Sequence, residues 1–139
     1  MFIDPGTGLP YTPQVSYFIG RFDIYDREET LGEELKKFNP NNSDDREYLI
    51  VNYSLGIGRT YRARFLLYKC LEAALLDADY DFQALLEPDS QEYSTFPDGW
   101  EEMDNPRAFF EDTYRLITDA WKEDIRRAEL EDMSTWHYI

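Results

Sequence analysis

Three aspartates, Asp77, Asp79 and Asp81, alternate along the run DADYD. That spacing is how the first ligands of a calcium loop bring carboxylates to one ion. The loop also needs Gly at its sixth position and Glu at its twelfth, where this chain has Phe82 and Pro88. The run therefore reads as a solvated acidic turn. Zinc sites take several His or Cys ligands, and the chain has one of each, His137 and Cys70. Serine hydrolase chemistry would bring a GxSxG elbow, which is absent. A nuclease-like acid two positions before the lysine is missing at Lys122, where Ala120 stands, and at Lys69, where Leu67 stands. A small metal-dependent enzyme is the second alternative, and no residue is assigned to it. No catalytic residue, metal or cofactor is assigned.

A second constellation is YLIVNYSLGIGRTYRAR, residues 48–64. A strand, then Gly56-Ile57-Gly58, then a helix is the layout of a dinucleotide-binding turn, in which backbone amides meet a phosphate. The third glycine of that fingerprint would fall on Tyr61, and no second βαβ unit follows. A flexible strand-to-helix turn is the plainer reading. Arg59, Arg62, Arg64 and Lys69 crowd the front of the helix, with Asp77 and Asp79 at its back. Both placements oppose the helix dipole. The arginines are expected either to pair with the domain's own acids or to contact an anion or a partner.

The third constellation is the most distinctive. Residues 77–104 hold ten acids, five aromatics and no lysine or arginine. The acids are Asp77, Asp79, Asp81, Glu87, Asp89, Glu92, Asp98, Glu101, Glu102 and Asp104; Tyr80, Phe82, Tyr93, Phe96 and Trp100 punctuate them. Carboxylates speed encounter with a basic surface. Rings such as Tyr80, Tyr93, Phe96 and Trp100 slow dissociation from it. These acids and these four aromatics form the expected partner-binding set.

The whole chain points the same way. It has 139 residues and a formal charge of −15, from 29 acids and 14 bases. This repels nucleic acid and anionic membranes, so the expected partner is a basic protein, in particular one that itself binds nucleic acid. At one charge per ~1.7 Å of duplex axis, such a surplus equals roughly 25 Å of DNA. One cysteine allows no internal disulfide, which fits a reducing compartment. The opening MFIDPGTGLPYTP lacks the basic and apolar regions of a signal peptide. No apolar run approaches the ~20 residues of a membrane span. A cytoplasmic location is expected.

These residues must be positioned by one domain, residues 1–139, of the α+β class. The pattern predicts a short strand at Phe2–Ile3, a strand over Val15–Tyr25 and another over Tyr48–Leu55. Thr30 and Glu33 form a capping box for a short helix presenting Leu31, Leu35 and Phe38. A long helix runs from Arg59 to about Asp79, and a second, capped by Asn105 with Pro106 first, runs to about Asp132. Glu111–Arg115 and Glu123–Arg127 are expected as ion pairs along it. A small antiparallel sheet with two long helices and one short helix results. The tail MSTWHYI is apolar enough to pack back or to bridge a homodimer.

From these features the expected function is a non-enzymatic, acidic inhibitor that docks on the basic nucleic-acid groove of a partner. In size and charge the chain looks like small phage-encoded antagonists of host nucleases, restriction enzymes or CRISPR complexes. That likeness is one of composition and carries over no residue. The alternative is an acidic regulatory adaptor, or an immunity protein for a basic toxin.

Overall fold

Capping residues decide where the helices begin. Asn42 Oδ1 accepts from the amides of Asp44 and Asp45, Thr60 Oγ1 from that of Ala63 at 3.0 Å, and Asn105 Oδ1 from that of Ala108 at 3.2 Å. Each satisfies a helix-start amide that would otherwise lack a partner. In the computed structural model, which describes residues 1–89, 91 and 93–139, the chain is mostly helical. The α-helices are α1 (Glu33–Leu35), α2 (Ser43–Leu49), α3 (Tyr61–Leu76), α4 (Pro106–Ala120) and α5 (Lys122–Glu129). Strands β1 (Phe2–Ile3) and β2 (Pro10–Tyr11) pair antiparallel, Phe2 opposite Tyr11 and Ile3 opposite Pro10.

This tiny hairpin is the sheet. The two longer strands expected from β-propensity are helical, so the α+β reading gives way to a mainly helical domain. Val15–Phe22 is a 3₁₀ helix whose buried residues are Val15, Phe18, Ile19 and Phe22. Phe18 and Phe22 are four apart, a spacing that satisfies strand alternation and a helical face equally. Tertiary burial of Val15 and Ile19 decides for the helix. Tyr48–Leu55 instead continues α2 into a wider turn, Ile50–Ser54. Leu49, Ile50 and Ser54 point inward while Tyr48 and Val51 are exposed. The Asn42 cap and the core contact outweigh β-branched propensity. Buried Ser54 donates to the Phe18 carbonyl at 2.7 Å and so ties the two misread segments together.

The Thr30 capping box does not form. Thr30 donates to the Arg27 carbonyl at 3.3 Å, a wide turn spans Glu28–Gly32, and α1 keeps three residues. Leu35 is nevertheless buried, with Leu31 and Phe38 packed beside it. The last helix breaks at Trp121 (φ −101°, ψ 13°), which separates α4 from α5. The ladder spans the break through Trp121 N to Ile117 O (2.8 Å) and Ile125 N to Trp121 O (2.9 Å). Trp121 Nε1 donates to Leu55 O at 3.0 Å. Among the described residues, no helix is long and apolar enough to cross a membrane.

The core gathers on Phe22, whose ring lies 5.0 Å from Trp100, 5.3 Å from Tyr53 and 6.0 Å from Phe109. Helix α3 packs against α4 and α5. A satellite cluster joins Ala63, Leu66, Ala128, Trp136 and Ile139. There the apolar tail packs back on its own chain. Ile3 N donates to His137 O (2.8 Å) and Ile139 N to Ile3 O (3.1 Å), and Trp136 meets Phe65 edge to face at 5.9 Å.

Candidate protein-binding face

The helices sort the charges. From the front of α3, Arg62 pairs with Glu131 at 2.9 Å and Arg64 with Asp124 at 3.0 Å. The Glu131 carboxyl is held below the usual range, first by the Tyr61 hydroxyl and then by Arg62. Lys69 reaches Glu72 at 2.8 Å, and Arg46 reaches Asp112 at 2.6 Å. The expected partners within the last helix are replaced. Arg115 lies 3.8 Å from Asp112 and 4.0 Å from Glu47, while Glu123 pairs with Arg126 at 3.2 Å. Arg127 stands 3.9 Å from the Tyr61 ring centre. At the back of α3, Arg107 donates to the carbonyls of Leu75 (3.1 Å) and Asp77 (2.8 Å). It supplies the positive charge that a helix C-terminus favours and that Asp77 and Asp79 oppose.

Residues 77–104 behave differently. Asp77, Asp79, Asp81 and Glu87 at its start, and Asp98, Glu101, Glu102 and Asp104 at its end, form no ion pair among the described residues. All but half-buried Glu101 are exposed. Some bind backbone instead: Asp77 Oδ1 accepts from Asp79 N and Asp81 Oδ1 from Ala84 N. Asp89 is exposed and closes a backbone bridge with Ser94. Glu92 lies outside the described residues.

The expected ring anchors separate into two kinds. Trp100 is 2% exposed and Phe96 8%, and Phe82 packs against Phe110 at 4.8 Å. Their rings hold the core and offer no surface to a partner. Tyr80 is half-buried, its phenol pushed up by burial. Tyr93 is 65% exposed.

Tyr93 is not alone. Its ring lies 5.5 Å from that of exposed Tyr25. This contact belongs to a seam between the acidic stretch and a second acidic segment, DIYDREE, residues 23–29. Ile24 N donates to Thr95 O at 2.7 Å, and Thr95 N to Asp23 Oδ1 at 3.1 Å. The seam brings acids of both segments to common hollows. Glu28, Glu33 and Asp98 border one hollow; Asp23, Glu87 and Asp89 border another. Two bases interrupt it: Lys36, paired with Glu33, and Arg27, which donates to the Asp23 carbonyl. Asp26 (φ 59°) and Tyr93 (φ 52°) are the non-glycine residues with positive φ among those described; one follows Tyr25 and the other is its ring partner. Asp tolerates that region; for a bulky residue it costs on the order of 1–3 kcal/mol. Sequence reasoning missed residues 23–29 because their acids are mixed with Arg27 and lie far away in the chain. The Tyr-Asp dipeptides at 25–26 and 80–81 give no hint of which tyrosine meets Tyr93.

Little else is arranged for chemistry. Among the described residues, no three His, Cys, Asp or Glu are grouped as a metal site. His137 is exposed with its ring edge against Tyr138. Cys70 is half-buried, its thiol raised by burial, which keeps it protonated and unreactive. No protein-family model, no curated protein and no solved structure matches the chain.

Proposed function

We propose that this is a non-enzymatic acidic binding protein that uses the joined segments 23–29 and 77–104 to dock on the basic, nucleic-acid-binding surface of a partner protein and block it. The observation that carries the reading is the sorting of charge: Asp77, Asp79, Asp81, Glu87, Asp98, Glu102 and Asp104 are exposed and form no ion pair among the described residues, while Arg46, Arg62, Arg64 and Arg126 pair with other acids. Unpaired carboxylates keep their full field for a partner, and the exposed Tyr25–Tyr93 pair supplies the adhesive centre that charge lacks. A nucleic-acid mimic of the anti-defence type is the specific form proposed.

A second reading is favoured by Arg27 and Lys36. Two bases inside the face break the uninterrupted negative strip that duplex mimicry asks for, and they suit a bounded epitope for one basic protein. An immunity protein or regulatory adaptor would look this way.

Immobilised protein would be used to capture partners from host extract, and each retained protein challenged with duplex DNA and with salt. A mimic's partner is displaced by DNA and weakens at least about tenfold as salt rises through the range that screens surface charge. Retention that ignores DNA but falls with Tyr93→Ala selects the adaptor reading. A partner bound equally well by a Tyr93→Ala, Asp98→Asn variant would overturn both.

A further inference from the structure

Most bases of this chain have a firm local partner. Carboxylates hold Arg46, Arg62 and Arg64, rings and carbonyls hold Arg107 and Arg127, and the Asp23 carbonyl holds Arg27. Two arginines differ. Arg59 makes no hydrogen bond or ion pair among the described residues. Arg21 makes one long bond, 3.4 Å to the Gly56 carbonyl. Both line the same cleft, of about 600 Å³, between the β1–β2 hairpin, the 3₁₀ helix and the loop entering α3. Among the described residues, none of 77–104 lines it.

The rest of the wall suits a ligand with an apolar body. Tyr11, Tyr17 and Ile57 supply rings and aliphatic surface, with buried Ala63 and Leu67 behind them. The Tyr11 phenol is pushed up to about 12, chiefly by burial, so it stays a neutral donor at physiological pH. Gly20, Gly56 and Gly58 leave the backbone approachable. Gly58 is also obligatory: its φ is +80°, and a Cβ there would meet the Arg64 side chain at 2.7 Å. Arg64 draws the loop carbonyls of Ile57 and Gly58 to itself, each at 3.2 Å, which fixes the loop beside Arg59. The α3 terminus is not the attraction, because Thr60 already caps it and donates to Ile139 O. Asp4 is the one carboxylate side chain of the lining, with Oδ1 accepting from Gly6 N at 2.7 Å. Two guanidiniums that no side-chain carboxylate holds suit an anionic ligand.

We propose that this cleft binds a small organic anion, a phosphate or carboxylate carried on an aromatic or apolar body, with the Arg21 and Arg59 guanidiniums taking the anion and Tyr11, Tyr17 and Ile57 the body. Each guanidinium presents five donors in a planar fork matched to such oxygens. The volume lies in the ~300–1,000 Å³ range of small-molecule sites. The cleft adjoins the acidic face, sharing Ser16 and Gly20 with the hollow of Asp23, Glu87 and Asp89, but its arginines and rings are its own.

The test is a chemical-shift titration of the labelled full chain with phenyl phosphate, inorganic phosphate and benzyl alcohol. Phenyl phosphate should shift the amides of Gly20, Gly56 and Gly58 and bind at least about tenfold more tightly than either fragment. Arg21→Gln and Arg59→Gln should each lower that affinity about tenfold, the loss expected for one charge-assisted contact. Both side chains are exposed, so melting temperatures should hold. Lys122→Gln makes the same charge change outside the cleft and should leave affinity unchanged. No saturable shift up to about 10 mM overturns the proposal. So does inorganic phosphate binding as tightly as phenyl phosphate, or a Lys122→Gln loss equal to that of the arginine variants.

Discussion

Around helices α2 to α5 several bases meet acids far along the chain, whereas Asp77, Asp79, Asp81, Glu87, Asp98, Glu102 and Asp104 are exposed with no ion pair among the described residues. Arg46, Arg62 and Arg64 reach across to Asp112, Glu131 and Asp124. Asp98, Glu102 and Asp104 reach nothing of opposite charge among the described residues. The difference teaches that net charge is not spread evenly over this fold. Bases are concentrated where helices must be held together, and the surplus of acids falls on the irregular segments laid over the core. The same irregular segments still bury large rings, so acidity and structural duty alternate residue by residue.

The sharpest way to break this picture lies inside the acidic stretch. Trp100→Ala should destabilise the protein by about 3–5 kcal/mol, the usual loss for a fully buried large ring. Tyr93→Ala should leave stability within about 0.5 kcal/mol, as exposed positions do, because alanine keeps the Cβ and with it the cost of the positive φ. Chemical denaturation of the two variants measures both. Equal losses would mean that Tyr93 is structural too, and the docking centre would go with it.

Next in size comes the cross-helix pairing. The side chains of Arg46 and Asp112 are 14% and 24% exposed, so Arg46→Gln should cost about 1–3 kcal/mol through the charged hydrogen bonds it removes. Asp98→Asn, Glu102→Gln and Asp104→Asn together should cost nothing. Removing like charges should instead stabilise by about 0.5 kcal/mol at low salt, with the gain fading as salt is added. A large loss in the triple variant would show these acids to be bound into the fold.

The smallest effect is one of pH. The Glu72 carboxyl is held below its ordinary 4.5, first by Lys69 and then by the Tyr114 hydroxyl. A carboxyl lowered in the folded state contributes fully above its unfolded value and loses that contribution as pH falls through the folded one. Wild-type protein should therefore lose about 0.5 kcal/mol more than Glu72→Gln on acidification from pH 6 to below 4. Parallel acid-side melting curves for the two would remove Glu72 from the paired set.

What was legible in the sequence follows from how local each signal is. The Asn105-Pro106 start and the existence of the α3 helix are decided within a few residues, and both appear, though α3 spans Tyr61–Leu76 and the last helix breaks at Trp121. The hairpin strand at Phe2–Ile3 also appears. Val15–Tyr25 and Tyr48–Leu55 were misread because β-branched and aromatic residues favour strands only when a sheet is there to receive them. Here each segment is the other's neighbour, and the Ser54–Phe18 bond between them is 36 residues long in sequence. For the candidate face, the acids of 77–104 were legible as a run, but the burial of Phe96 and Trp100 was not. Neither was the Thr95–Ile24 seam, since pairing between distant irregular segments leaves no periodicity to read.

The three tryptophans occupy three different places: Trp100 beneath the acidic stretch, Trp121 at the break between α4 and α5, and Trp136 in the cluster that fastens the tail. Each is therefore a natural optical reporter for one part of the molecule. With the other two replaced by phenylalanine, emission from Trp100 would register a partner arriving overhead. In the variant that keeps Trp136 alone, emission would register detachment of the tail from α3.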